Sequence, residues 1–247
     1  FNASTPIDPR VELVMKQSIE GAYGNPSSPH WAGAPARVIV DEARRKVAIL
    51  LGCKPGEIVF TSGGSESNNQ VLKGVFFARQ APGAHIITSA VEHPAIVEPC
   101  RFVERLGARI TWLPVDSTGQ VNAGDLRQAI TEDTILISIM HANNEVGTLQ
   151  PIKGLAQIAR EHAIPFHTDA AQSVGKVRTN VDELGVDFLT IAGHKLYAPK
   201  GIGALYVREG TVLEPLIHGA GHELGRRAGT ESALLAAALG EACELAN

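Results

Sequence analysis

"EIVFTSGGSESNN", residues 57–69, decides the fold. A β-branched and aromatic run enters a glycine turn and then a helical pattern spanning 66–80, the order in which a parallel sheet passes a strand to its covering helix. Outward from it the alternation recurs. "HIITS" (85–89), "RITWL" (109–113), "TILISIM" (134–140), "PFHTD" (165–169), "DFLTI" (187–191) and "GALYV" (203–207) are strand-like, while 94–106 and 152–162 carry helical periodicity. Strands alternating with helices predict βαβ units, and nearly continuous apolar strands predict burial on both faces. The expected class is therefore α/β: a doubly wound, mostly parallel seven-stranded sheet with helices on both faces.

Upstream, 8–51 reads as two amphipathic helices, "DPRVELVMKQSIEGA" and "APARVIVDEARRKVAILLG", joined by the loop "YGNPSSPHW". The sequence begins with Phe and stops within "ESALLAAALGEACELAN", an Ala/Leu-rich helical stretch without a stop signal, so both ends read as cut. Composition is that of a globular chain: 247 residues, 44% hydrophobic, 19% charged, formal net charge −4. Basic residues are not clustered, which argues against nucleic acid and anionic lipid as partners. No apolar run approaches the roughly 20 residues that span a bilayer. Cys53, Cys100 and Cys243 are odd in number, far apart and free of any CxxC pair, which favours buried structural thiols in a reducing compartment; a cytoplasmic protein is expected. The sequon Asn2-Ala3-Ser4, with no signal peptide, is read as chance.

In doubly wound sheets ligands bind outside the carboxyl ends of the strands. After 57–61, "SGGSESNN" opens a helix whose free N–H groups and positive dipole end suit a phosphate; a plain tight turn with Ser65 as N-cap is the alternative. His93 precedes Pro94 at a helix start, Asn143-Asn144 either caps a turn or offers amide donors, and Asp169 ends a strand where an N-cap is equally ordinary. Lys195 stands in "AGHKLYAPKG", boxed by a histidine, an aromatic and glycines. A partly desolvated lysine has a lowered pKa, and its neutral amine attacks carbonyls to form an imine. A reactive lysine, a phosphate cup, an acid for a ring nitrogen and a flat side chain to stack together fit one cofactor, pyridoxal 5′-phosphate (PLP). "HELGR" (222–226) begins like HExxH, but Arg226 replaces the second histidine and no metal is expected.

"TSGGSESNN", "EHPAI", "HANNEVG", "HTDAAQSVGK", "GVDFLTIAGHKLYAPKGIGALYV" and "GAGHELGRRAGTES" resemble, in order and spacing, the signatures of NifS/IscS-type cysteine desulfurases and the related selenocysteine lyases, class V, fold-type I PLP enzymes. The resemblance implies the fold-type I large domain and a homodimer. It implies that Lys195 is the Schiff-base lysine, that Gly64, Ser65, His194 and, from the dimer mate, Thr230 bind phosphate, and that His93 stacks on the ring and assists proton transfer. Asn144 would touch ring hydroxyl and substrate carboxylate, Gln172 the ring hydroxyl, and Asp169 the ring nitrogen. Many relatives have Ser where this chain has Ala192, which removes one hydroxyl ligand worth about 1 kcal/mol.

The implied organisation is an N-terminal helix and substrate-loop segment (1–30), a PLP-binding large domain (31–230) and the start of an interdomain helix (231–247). The implied reaction converts L-cysteine to L-alanine and passes sulfur to a protein cysteine persulfide, then to an acceptor such as an iron–sulfur scaffold. In the family a small C-terminal domain carries the sulfur-accepting cysteine and a carboxylate-binding arginine, and neither has a counterpart in this chain. The alternatives are a selenocysteine lyase or other class V α,β-eliminating enzyme, or a catalytically silent PLP-binding dimerisation fragment.

Overall fold

A computed structural model describes residues 2–79 and 83–247, so residue 80 of the helical pattern at 66–80 and residue 1 of the N-terminal segment lie outside the described residues. All seven strand-like runs form strands: β1 (Ile58–Thr61), β2 (His85–Ser89), β3 (Arg109–Leu113), β4 (Thr134–Ser138), β5 (Phe166–Asp169), β6 (Phe188–Ala192) and β7 (Gly203–Val207). They join one sheet in the order β1-β7-β6-β5-β4-β2-β3. β7 is antiparallel to both neighbours and the other pairings are parallel, so β1 to β6 run one way and β7 alone runs back. The sheet is mixed but mostly parallel, and the carboxyl ends of six strands share one edge with the start of β7.

Helices cover both faces. α3 (Gly64–Arg79) and α4 (Pro94–Arg105) bury Val71, Leu72, Val75, Ile96 and Val103 against Val59, Ile86, Leu136 and Phe188. On the opposite face α1 (Pro9–Gly21), α2 (Ala34–Leu51), α6 (Ile152–Glu161) and α8 (Ala233–Ala246) share a second cluster with Ile58, Phe60, Ile87, Ile137 and Leu189. Ile58, Val59 and Phe60 alternate between the two clusters, as side chains along a strand must. The first helices carry ordinary caps at one end each: α1 starts on Asp8, which accepts from the Arg10 N–H with Pro9 in the first position, and α2 ends on Gly52 at φ 70. Two short helices, α5 (Ala123–Ala129) and α7 (Val181–Leu184), escape the periodicity because so few turns present no apolar stripe; each starts on an asparagine cap, Asn122 and Asn180. β3 closes one edge and buries fully only Leu113. Among the described residues no helix is long and apolar enough to cross a membrane.

Candidate active site

At the carboxyl edge of the parallel strands lies a cavity of about 660 Å³, lined by Gly64, Ser65, His93, Asn144, Asp169, Gln172, His194 and Lys195. They come from five strand exits and the turns that follow them, those of β1, β2, β4, β5 and β6, so the sheet gathers residues that span more than half the chain. Thr230, the ninth expected residue, is exposed on the loop before α8 and is not part of the lining.

The phosphate-type cup is built by glycine. Thr61 of β1 pairs with Gly203 of β7, and a Cβ on Gly203 would meet the Gly63 Cα at 2.7 Å, so a larger residue would push the loop off the sheet. Gly63 itself adopts φ 149. Its carbonyl accepts the first helical bond, from Ser67, while the amides before that have no partner within the helix. Ser65 is not the N-cap: α3 already begins at Gly64, which puts the Ser65 hydroxyl inside the first turn and at the cavity. Glu66 secures this turn, accepting from Ser62 N–H at 2.7 Å and from Arg227 Nε at 2.8 Å.

Across the cavity, Asp169 is buried at the end of β5. Its Oδ2 accepts from Asn68 Nδ2 at 2.7 Å and its Oδ1 from the Ala171 N–H at 3.0 Å. His93 is both the N-cap of α4 and a wall of the cavity: its Nδ1 accepts from the Ala95 N–H at 3.1 Å, which leaves Nε2 to carry the proton in the neutral ring. Asn143 is the turn-forming member of its pair, its Oδ1 accepting from Glu145 and Val146 N–H and its Nδ2 donating to the Val91 carbonyl, while Asn144 faces the cavity.

Lys195 ends a short 3-10 turn, Gly193–Lys195, in the connection between β6 and β7. Burial pulls its ammonium below the ordinary lysine range, against the attraction of Asp169. Burial, then Lys195 and Lys200, lower His194, and burial, then Lys195, lower Lys176. The Lys195 charge thus disfavours further positive charge on Lys176 and His194 in this half-buried space, an arrangement that an anion relieves.

Sequence reasoning did not foresee two features. Residues 2–4 fold across the cavity mouth: Asn2 Nδ2 donates to the Asn144 carbonyl at 3.3 Å, and Gln172 Nε2 donates to the Asn2 carbonyl at 2.7 Å. The loop that mimics HExxH is a structural staple, with Glu223 bound bidentately by Arg44 at 2.7 and 2.8 Å and accepting from the Phe60 N–H at 2.9 Å. The signal for the staple was a glutamate in an otherwise Gly/Arg loop, which is too common to point anywhere by itself. Cys100 and Cys243 are buried and Cys53 half-buried, and burial pushes each thiol up to about 12.

PLP fits these residues. The α3 amino end and its glycine cradle supply anion donors, Asp169 supplies a fixed carboxylate, and Lys195 supplies an amine whose pKa burial lowers. A Cβ on Gly64 would stand 3.3 Å from the Ala192 Cβ and begin to fill the cup.

Comparison with known proteins agrees. The chain is 54% identical over 246 residues to the cysteine desulfurase IscS of Dictyoglomus turgidum, covering 100% of this chain and 62% of that protein. It is 47% identical over 245 residues to the cysteine desulfurase IscS of Methanosarcina thermophila, covering 99% of this chain and 61% of that protein. It therefore spans about three fifths of these relatives' length. Among solved structures, one described as SspA in complex with cysteine superposes with TM-score 0.96 at 46% identity over 98% of this chain and 71% of that one. A NifS-like protein superposes with TM-score 0.97 at 40% identity over 99% of this chain and 68% of that one. The aminotransferase class-V pattern matches residues 1–247, and with cup, carboxylate and lysine in one cavity the chain belongs to the aminotransferase class-V family.

Proposed function

We propose that this chain is the cofactor-binding and proton-moving part of a PLP-dependent cysteine desulfurase, which converts L-cysteine and a protein thiol to L-alanine and a protein persulfide. The observation that carries the reading is the convergence of Lys195, Asp169, His93 and the α3 amino end on one cavity. When bound, PLP supplies an electron sink for the bond broken at the substrate Cα.

The chain's own residues do the rest. The amides of Gly64 and Ser65, the Ser65 hydroxyl and His194 hold the phosphate. Asp169, its oxygens already fixed by Asn68 and Ala171, holds a proton on the ring nitrogen. His93, with Nδ1 occupied by the α4 cap, offers Nε2 to the ring face and to the moving protons. Asn144 and Gln172 orient the ring hydroxyl and the substrate carboxylate, and residues 2–4 keep water from one side of the mouth. Lys195 would hold the cofactor and take the substrate Cα proton on Nζ; burial lowers its pKa, which favours the neutral amine that accepts a proton.

In this reading the thiol that accepts sulfur lies outside this chain, because Cys53, Cys100 and Cys243 are all held as protonated thiols. That observation also favours a second reading for the chain in isolation, a silent PLP-binding module. Thr230, exposed on its loop, would complete the phosphate site of a second copy in a homodimer. The setting is cytoplasmic and the sulfur acceptor an iron–sulfur scaffold, in keeping with relatives named IscS, although one relative, from Arthroderma benhamiae, is named a mitochondrial enzyme.

The test is the visible spectrum of the chain with PLP, beside Lys195→Ala, with borohydride trapping and assay of alanine after L-cysteine or selenocysteine. A band and a trapped adduct at Lys195 support the cofactor assignment, and their absence defeats it. Alanine from selenocysteine alone would transfer the reading to a lyase, and a band with no alanine from either would leave the silent module.

A further inference from the structure

The connection that carries Lys195 is not closed by its own residues alone. Inside it, the N–H groups of Leu196 and Ala198 donate to the Gly193 carbonyl at 2.8 and 3.1 Å. Tyr197 then adopts φ 60, a left-handed conformation that an aromatic residue rarely takes and that its surroundings must hold in place.

What holds it comes from the other end of the chain. The Thr5 N–H donates to the His194 carbonyl at 2.8 Å. The Thr5 hydroxyl donates to the same carbonyl at 3.1 Å and accepts from the Tyr197 N–H at 2.8 Å. Three residues on, the Asp8 N–H donates to the Tyr197 carbonyl at 3.1 Å. One buried hydroxyl thus spends its proton on the residue before Lys195 and a lone pair on the second residue after it, bracketing the lysine from both sides.

We infer that Thr5 is a positioning residue for Lys195: its hydroxyl clamps the His194 carbonyl to the strained Tyr197 amide and so sets the turn from which the lysine enters the cavity. The inference rests on the proposed role of Lys195. A simple N-terminal tether would need only the two backbone bonds, and a valine there would serve as well as a threonine. The clamp needs the hydroxyl, because without it the Tyr197 N–H loses its acceptor within a turn that is already strained.

The experiment compares the whole chain with Thr5→Val and Thr5→Ser. Two properties are followed: the pH profile of Lys195 acylation by an activated ester, read by peptide mass spectrometry, and PLP affinity from the absorption band. In Thr5→Val the clamp predicts an acylation midpoint moved up toward the ordinary lysine range, as the loosened turn lets water reach the amine, and PLP affinity about tenfold weaker, the equivalent of one lost hydrogen bond. Thr5→Ser should match the parent in both. Parental behaviour of Thr5→Val, equal damage in Thr5→Ser, or loss of the cooperative thermal transition in Thr5→Val would each overturn the inference, since it confines the effect to the Lys195 turn and to the hydroxyl. If the parent chain forms no PLP adduct at Lys195, the functional reading fails, and the acylation profile still decides the clamp.

Discussion

Asn68 Nδ2 donates to Asp169 Oδ2 at 2.7 Å, joining the first turns of α3 to the end of β5 beneath the proposed ring site. The carboxylate is oriented by a neutral amide on one oxygen and the Ala171 N–H on the other. The Asn68 Oδ1 is buried with no hydrogen-bond partner among the described residues, so this amide costs the fold something at that end.

Replacing Asn68 by leucine should therefore separate binding from stability. The variant loses a hydrogen bond to a charged acceptor, worth roughly 1.5–3 kcal/mol, and PLP affinity should fall by about an order of magnitude. It also removes the unsatisfied Oδ1, so the thermal midpoint should move little. Titration of the absorption band beside a thermal melt checks this; a large fall in the midpoint with unchanged affinity would refute it.

Glu92 gives a prediction in pH. It is buried between the end of β2 and the residues following β4, and its Oε1 accepts from the Ser89 hydroxyl at 2.6 Å and the Met140 N–H at 2.9 Å. Its Oε2 has no hydrogen-bond partner among the described residues. Burial raises its pKa to about 8, with the Asp169 charge adding to the rise and the Ser89 and Met140 donors opposing it; the Cys100 thiol also feels its charge. The folded state holds this proton from the ordinary carboxyl range up to about pH 8 while the unfolded state does not. Stability from this group is thus complete below about 4.5 and is lost as pH rises to about 8. Glu92→Gln, which keeps an acceptor and has no proton to lose, should become progressively more stable than the parent across that window and stay ahead above it. Melts at pH 5, 7 and 9 decide, and a constant offset would show that titration is not the cause.

The fold was legible because its signal is local and repeated. Each of the seven strands announces itself in a run of four or five residues rich in β-branched, aromatic or other apolar side chains, and the reversal of β7 follows from the short link after β6, too short for the crossover that a parallel neighbour requires. The cavity residues were legible because each sits at a strand exit, where the topology places ligands. What was not legible depends on distant pairing. Neither Thr5 nor Asn68 carries a pattern of its own, since threonine near a chain start and asparagine in a helix are ordinary residues, and only the three-dimensional partner gives them meaning. Glu223 was silent for the same reason: Arg226 already argues against the metal motif that HELGR begins, and only the structure gives the carboxylate its partner, Arg44.

That pair should be the costliest polar contact to break. Glu223 is 1% exposed at its side chain and Arg44 14%. Arg44 also lies 4.8 Å over the Phe60 ring, and the Phe60 amide depends on the same carboxylate. Glu223→Ala strands a largely buried guanidinium and a strand N–H, and should cost about 3–5 kcal/mol in denaturant unfolding. Replacing both residues by methionine should cost less than the single change, because no charge is left behind. A single variant within about 1 kcal/mol of the parent would mean that water reaches the site freely.

The thiols supply the last prediction. With burial holding Cys53, Cys100 and Cys243 up at about 12, roughly one molecule in ten thousand carries a thiolate at pH 8, and the nucleophile for both alkylation and sulfur transfer is the thiolate. Native protein treated with iodoacetamide at pH 8 should stay unmodified at Cys100 and Cys243 and react only slowly at half-buried Cys53, whereas all three should label within minutes in denaturant. By the same argument, protein loaded with PLP and given L-cysteine should show no added sulfur on any of the three by mass spectrometry. A persulfide on even one of them would place the sulfur acceptor inside this chain and overturn the division of labour proposed for it.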